Sequence, residues 1–191
     1  MENRNSLPPG DSQRVIWSGL PNGVSEAGQR DETLTDRQRT LLAYWQELQP
    51  EDGSLPQWSN FDPLRLWTVI TRLVVYEVLD QGEDLFFRLA GAEFERHAGR
   101  SLRGQRFSQI STPERLRAGQ RTARELYDNP APQLVHGWME AAERDHVTYS
   151  RLSVPFSLEP GYRMDILLAC YEFGPNGPVP QTGAPEGFRR I

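Results

Sequence analysis

The stretch "DLFFRLAGAEFERHAGRSLRGQRF", Asp84 to Phe107, opens as a strand and turns within one residue into a helix. Leu85, Phe87 and Leu89 alternate with Phe86 and Arg88, which gives the strand one aliphatic and aromatic face. Gly91 breaks that pattern, because a residue without Cβ allows an abrupt strand-to-helix turn. Beyond it, Phe94 and Ala98 are spaced to face back toward the sheet, with His97 beside them. Gly99 and Gly104 then punctuate the path to the next helix. The turn is therefore expected to form one wall of a cavity.

Working outward, "LVVYEVL" and "LFFRLAG" flank "DQGED", two apolar runs around a turn, which is the grammar of a hairpin. Further upstream, "TDRQRTLLAYWQELQ" reads as an amphipathic helix. Thr35 and Gln38 have capping-box spacing, and Leu41, Leu42, Trp45 and Leu48 fall on one face. That stripe must pack on the chain's own sheet or on a second copy. "FDPLRLWTVITRL" links this helix to the hairpin through turns at Pro56 and Pro63.

Downstream, "STPERLRAGQRTARELYDNPAP" predicts a longer helix capped by Thr112, with Pro113 at its first position and Asn129-Pro130 at its end. Leu116, Ala123, Leu126 and Tyr127 form its inner stripe. Three strand-like runs follow: "PQLVHGWMEA", "HVTYSRLSVPFSL" and "YRMDILLACYEF". Strands at both ends with helices between them imply an antiparallel sheet covered on one face, an α+β layer. Residues 1–33 read as a disordered arm in which Val15, Ile16 and Trp17 could dock. Residues 34–174 read as the folded domain, and 175–191 as a flexible Pro/Gly-rich tail.

Composition removes many function classes. All 21 basic residues are arginine, so Schiff-base chemistry, a lysine base and a P-loop lysine are absent. A formal charge of −5 argues against nucleic-acid binding. No apolar run reaches the roughly 18 residues of a membrane span. The lone Cys170, together with an N-terminus lacking an apolar signal segment, points to the cytoplasm.

Several stretches together resemble the PAS domain, and more narrowly the short stand-alone PAS-like proteins of bacteria. These are "LLAYWQEL" (41–48), "FDPLRLWTVITRLVVYEV" (61–78), "FFRLAGAEFERHAGRSLRGQRF" (86–107) and "YSRLSVPFS" (149–157). The resemblance implies a five-stranded antiparallel sheet with helices over one face and a small cavity between them, preceded by a flanking N-terminal helix. It further implies a sensory domain that binds a small ligand or a partner protein and signals through its contacts. A homodimer through the helix around Trp45 is the expected assembly. With that topology, strand parity assigns the cavity wall to Phe87, Leu89, Phe94, His97, Leu152, Val154, Ile166 and Leu168.

No cofactor follows from the residues. Flavin photochemistry would need a reactive cysteine in an Asn-Cys-Arg-type helix, and Cys170 lies in the last strand instead. The long helix lacks the histidine that holds heme in such sensors, although His97 and His136 lie elsewhere. No residues are assigned to catalysis or to a metal. Arg117, Arg121 and Arg124 could hold an anion, but a solvated helix face is the simpler reading. Trp138 and Met139 alternate, so only one of them can point inward. Two alternatives stand beside the sensor. One is a ligand-free interaction adaptor. The other is an isomerase-like cone fold in which Asp165 or Glu140 serves as general base, although alternation with Met164 and Ile166 places Asp165 in solvent.

Overall fold

The computed structural model describes residues 16–18, 34–141 and 144–174. Expectations for the rest of the N-terminal arm, and for the tail after Gly174, lie outside the described residues. The chain order is β1 (Ile16–Ser18), α1 (Asp36–Glu47), β2 (Leu73–Leu79), β3 (Asp84–Ala90), α2 (Ala92–Ala98), α3 (Phe107–Ile110), α4 (Pro113–Asp128), β4 (Gln133–Ala141), β5 (Arg144–Phe156) and β6 (Ile166–Phe173). Short 3-10 turns fill the connection from α1 to β2. The sheet order is β1-β4-β5-β6-β2-β3. Strands β2 to β6 pair antiparallel throughout, which is the expected five-stranded sheet. Strand β1 extends it by a short parallel pairing of Ile16–Ser18 with Gln133–Val135.

Local chemistry explains the boundaries. The Thr35 hydroxyl accepts from the Gln38 backbone N–H, and the Gln38 side chain accepts from Thr35 N–H in return at 3.1 Å. Thr112 caps α4 by accepting from Arg115 N–H, with Pro113 in the first turn. The β2–β3 connection turns on Asp80, Gln81 and Gly82, all at positive φ. Asp84 at the head of β3 then ties down α3, accepting from the backbone N–H and the hydroxyl of Ser108.

Helices lie on both faces of the sheet, and this decides where the cavity forms. Helix α1 packs across β5 and β6, burying Leu41, Tyr44 and Trp45. The Trp45 indole N–H donates to the Pro155 carbonyl at 2.7 Å, and the Gln38 amide donates to Ser150 at 2.9 Å. Each fully buried apolar side chain of this kind stabilises by roughly 1.5–3 kcal/mol. The Trp45 stripe is thus turned inward onto its own sheet, and Trp45 itself is 3 % exposed. Against the edge of this layer, Trp58 stacks on Phe61 at 4.4 Å, and both meet the edge of Phe156.

The opposite face carries α2, α3 and α4. Gly91 makes its turn at an ordinary φ of −68°. Its requirement is steric: a Cβ there would stand 2.3 Å from the Thr71 carbonyl oxygen. Helix α2 ends at Gly99, which takes the left-handed conformation at φ 71°.

Candidate functional site

Between α4 and the sheet lies a cavity of about 100 Å³. Its floor comes from alternate residues of the strands: Tyr76 of β2, Val135, Gly137 and Met139 of β4, Tyr149 and Arg151 of β5, Leu167 and Tyr171 of β6. Leu85 and Phe87 of β3, Phe94 of α2 and Phe107 of α3 form the sides. Helix α4 closes the top with one face running from Arg115 through Gly119 and Thr122 to Leu126.

The floor is unusually polar for the middle of a sheet. The hydroxyls of Tyr76 and Tyr171 lie 2.8 Å apart, and the Tyr149 ring sits 5.3 Å from that of Tyr171. Register places Arg151 directly opposite Tyr171 on one side and Val135 on the other. The Arg151 Nε has no hydrogen-bond partner, and no ion pair links this side chain to a carboxylate among the described residues. Arg115 enters from α4 with its guanidinium 5.6 Å from the centroid of the Phe107 ring.

Tyr76 and Tyr171 are buried, and Tyr149, Arg115 and Arg151 are partly buried. Burial pushes the Tyr76 and Tyr149 phenols above their ordinary range, so both are neutral hydroxyls. For Arg151, burial opposes the charge, but the surrounding tyrosine oxygens outweigh it and the net direction is up. For Arg115, burial lowers the value from that of a free guanidinium, and the nearby Arg151 charge adds to the effect. Both arginines begin from so high a value that they are cations near neutral pH. The site therefore offers positive charge and neutral hydroxyls at one side, with apolar surface at the other.

Of the residues expected to line the cavity, Phe87 and Phe94 do so. Leu152, Val154, Ile166 and Leu168 lie on the opposite face of the sheet, fully buried beneath α1. The strand parity is the reverse of the expected one. The strands are apolar on both sides because helices cover both sides, and apolar character alone could not say which face held the cavity. Leu89 is 42 % exposed. A bulge pairs Val75 with Leu89 but Tyr76 with Phe87, so the extra Arg88 turns Leu89 away from the Phe87 face. His97 packs on Phe173 with ring centroids 4.1 Å apart and stands outside the cavity lining.

Arg115 and Arg151 were absent from the sequence assignment because arginines in amphipathic elements read as solvent-facing. A signal did exist. Tyr149 and Arg151 share one parity in β5, as Leu167 and Tyr171 do in β6, and the two sets register across the strands. The arginines singled out on α4 lie elsewhere: Arg117, Arg121 and Arg124 are on the outer face, and Arg124 pairs with Glu83. Asp165 accepts from Leu158 N–H at 2.8 Å and from Arg163 Nε at 2.7 Å, fixing a turn outside the cavity. Asp165 is not among the residues lining that cavity. Cys170 is buried on the α1 face, where burial pushes its thiol up to about 12. Met139 lines the cavity, whereas the side chains of Trp138 and Glu140 lie outside the described residues.

The sequence profile of the PAS domain family matches residues 35–170. The chain belongs to that family, whose members are sensory and regulatory domains. Among solved structures, the PAS domain of an HTR-like protein from Haloarcula marismortui is similar, at 15 % identity and a TM-score of 0.41. That similarity covers 58 % of this chain and 89 % of the other. No curated protein matches the chain.

Proposed function

We propose that this chain is a cytoplasmic sensor that takes a small ligand into the cavity between α4 and the sheet. It reports occupancy to a partner protein through the packing of its helices. One observation carries the reading: a cavity of about 100 Å³ lined by Arg115, Arg151 and three tyrosines, where a domain serving only as a scaffold would be filled by apolar side chains. A ligand that prefers one packing of α4 over the sheet shifts the population of that packing, and the partner reads the shift. The partner surface on this reading includes Leu64 and Trp67 in the turns before β2, which are 77 % and 71 % exposed.

Native mass spectrometry of the protein isolated from its own cells tests this. The expected spectrum shows an added small-molecule mass that disappears on denaturation. A spectrum of the bare chain alone, together with no thermal stabilisation by a small-metabolite panel, would exclude the ligand and leave the adaptor reading. Sedimentation at micromolar concentration measures self-association, which on this fold would use the exposed face of α1 rather than the Trp45 stripe.

A further inference from the structure

We infer that the cavity takes a short-chain organic monocarboxylate, its carboxylate on the Arg151 guanidinium and its carbon tail against Phe87, Phe94 and Leu167. The inference rests on the ligand-binding reading above and names the chemical class of the ligand.

The argument begins with charge. A cation held inside a protein needs a counter-charge, because its hydration has been removed. Among the described residues, Arg151 has tyrosine hydroxyls for neighbours and no carboxylate, and its Nε is left without an acceptor. Burial keeps the Tyr76 and Tyr149 phenols protonated, so they supply dipoles and donors rather than negative charge. Arg115 brings a second cation to the same lining. An anion entering the cavity would meet a planar guanidinium fork and the hydroxyls of Tyr149 and the Tyr76–Tyr171 pair.

Size and polarity narrow the class. A cavity of about 150 Å³ accommodates benzene, so about 100 Å³ suits roughly four to six non-hydrogen atoms. A carboxylate asks for donors at two oxygens only. Phosphate asks for donors all around, and the apolar walls at Phe87, Phe94 and Leu167 would leave part of its surface unsatisfied. Those walls match a short hydrocarbon tail.

Calorimetry and thermal shift on the full chain, at fixed pH and ionic strength, test the assignment with acetate, propionate, butyrate, propionamide and inorganic phosphate. Propionate is expected to bind in the micromolar to millimolar range set by so few atoms. Propionamide, the neutral isostere, is expected to bind at least about tenfold more weakly. Arg151→Met is expected to abolish the response, and to raise the melting temperature of the empty protein by removing a charge that has no carboxylate beside it among the described residues. Arg124→Met on the outer face serves as the unchanged control. Should Arg151→Met not fold, Arg151→Lys carries the test: it keeps the charge, loses the planar fork, and is expected to weaken propionate roughly tenfold.

Equal binding of propionamide and propionate would overturn the anion assignment while leaving a cavity that binds ligands. Phosphate binding more tightly than any carboxylate would overturn the organic tail. No binding of any of the three carboxylates would overturn the inference outright. In that case, a small molecule found by native mass spectrometry keeps the sensor reading alive, and its absence removes both.

Discussion

The phenol oxygen of Tyr149 lies 2.6 Å from the point where a Cβ on Gly137 would stand, and the two residues face each other across the β4–β5 ladder. The bare backbone of one strand is what lets the ring of the next lie over it and reach the cavity. Gly137 thereby sets the position of a polar group in the candidate site.

Gly137→Ala is expected to displace the Tyr149 ring and destabilise the fold by about 1–3 kcal/mol, the usual range for overpacking. The same substitution should cost less in a Tyr149→Ala background, because the clashing ring is gone. Urea denaturation of the four proteins in the cycle measures this coupling. Equal cost in both backgrounds would show that the contact is not what requires glycine.

Gly91 makes a different demand, since its neighbour is backbone. A methyl group at this position would stand 2.3 Å from the Thr71 carbonyl oxygen, and no side-chain rotation can relieve that contact. Gly91→Ala is expected to cost about 3 kcal/mol or more, with the β2–β3 hairpin and α2 forced apart. Equilibrium unfolding gives the magnitude, and a loss below about 1 kcal/mol would contradict the close approach.

Trp45 couples α1 to the sheet through its ring and its hydrogen bond to Pro155. Trp45→Ala is expected to destabilise by about 3–5 kcal/mol while leaving the mass in solution unchanged. Analytical ultracentrifugation beside a denaturant melt separates the two effects. A variant that stays stable but changes its assembly state would instead place Trp45 at an interface between copies.

Alkaline pH should weaken the fold. Cys170 has its thiol raised from 9.0 to about 12 by burial first, and Tyr76 and Tyr149 are raised above 10.0 for the same reason. A group whose folded value is raised contributes stability that is complete below its unfolded value and is lost as pH climbs toward its folded one. Stability should therefore hold up to about pH 8, begin to fall near pH 9 as the unfolded thiol ionises, and fall faster above about pH 10 as the unfolded phenols follow. Urea midpoints measured across that range provide the check. Cys170→Ala should flatten the portion between about pH 9 and 10, and an unchanged slope there would remove the thiol from the account.

Much of the architecture was legible because it is written in short-range chemistry. The capping pair Thr35 and Gln38, Thr112 ahead of Pro113, and the break at Gly91 each act over a few residues, so spacing alone locates the element ends. The candidate site was legible only in part. Phe87 and Phe94 lie beside the Gly91 turn, where local geometry is nearly forced, and both line the cavity. Leu152, Val154, Ile166 and Leu168 share one parity of β5 and β6, as expected, but that parity belongs to the α1 face.

What the amino-acid sequence determined by itself was the order of the elements, their caps and turns, and the period-two division of each strand into two faces. Which face α1 would cover was a tertiary decision. It depended on the Trp45 indole finding the Pro155 carbonyl, and Gln38 finding Ser150, more than a hundred residues along the chain. Once α1 took that face, the remaining one, with Tyr76, Tyr149, Arg151 and Tyr171, became the cavity floor. Alternation specifies that two faces differ. Only packing against a third element specifies which of them is left open, because a side chain's burial depends on what covers it as well as on where it points.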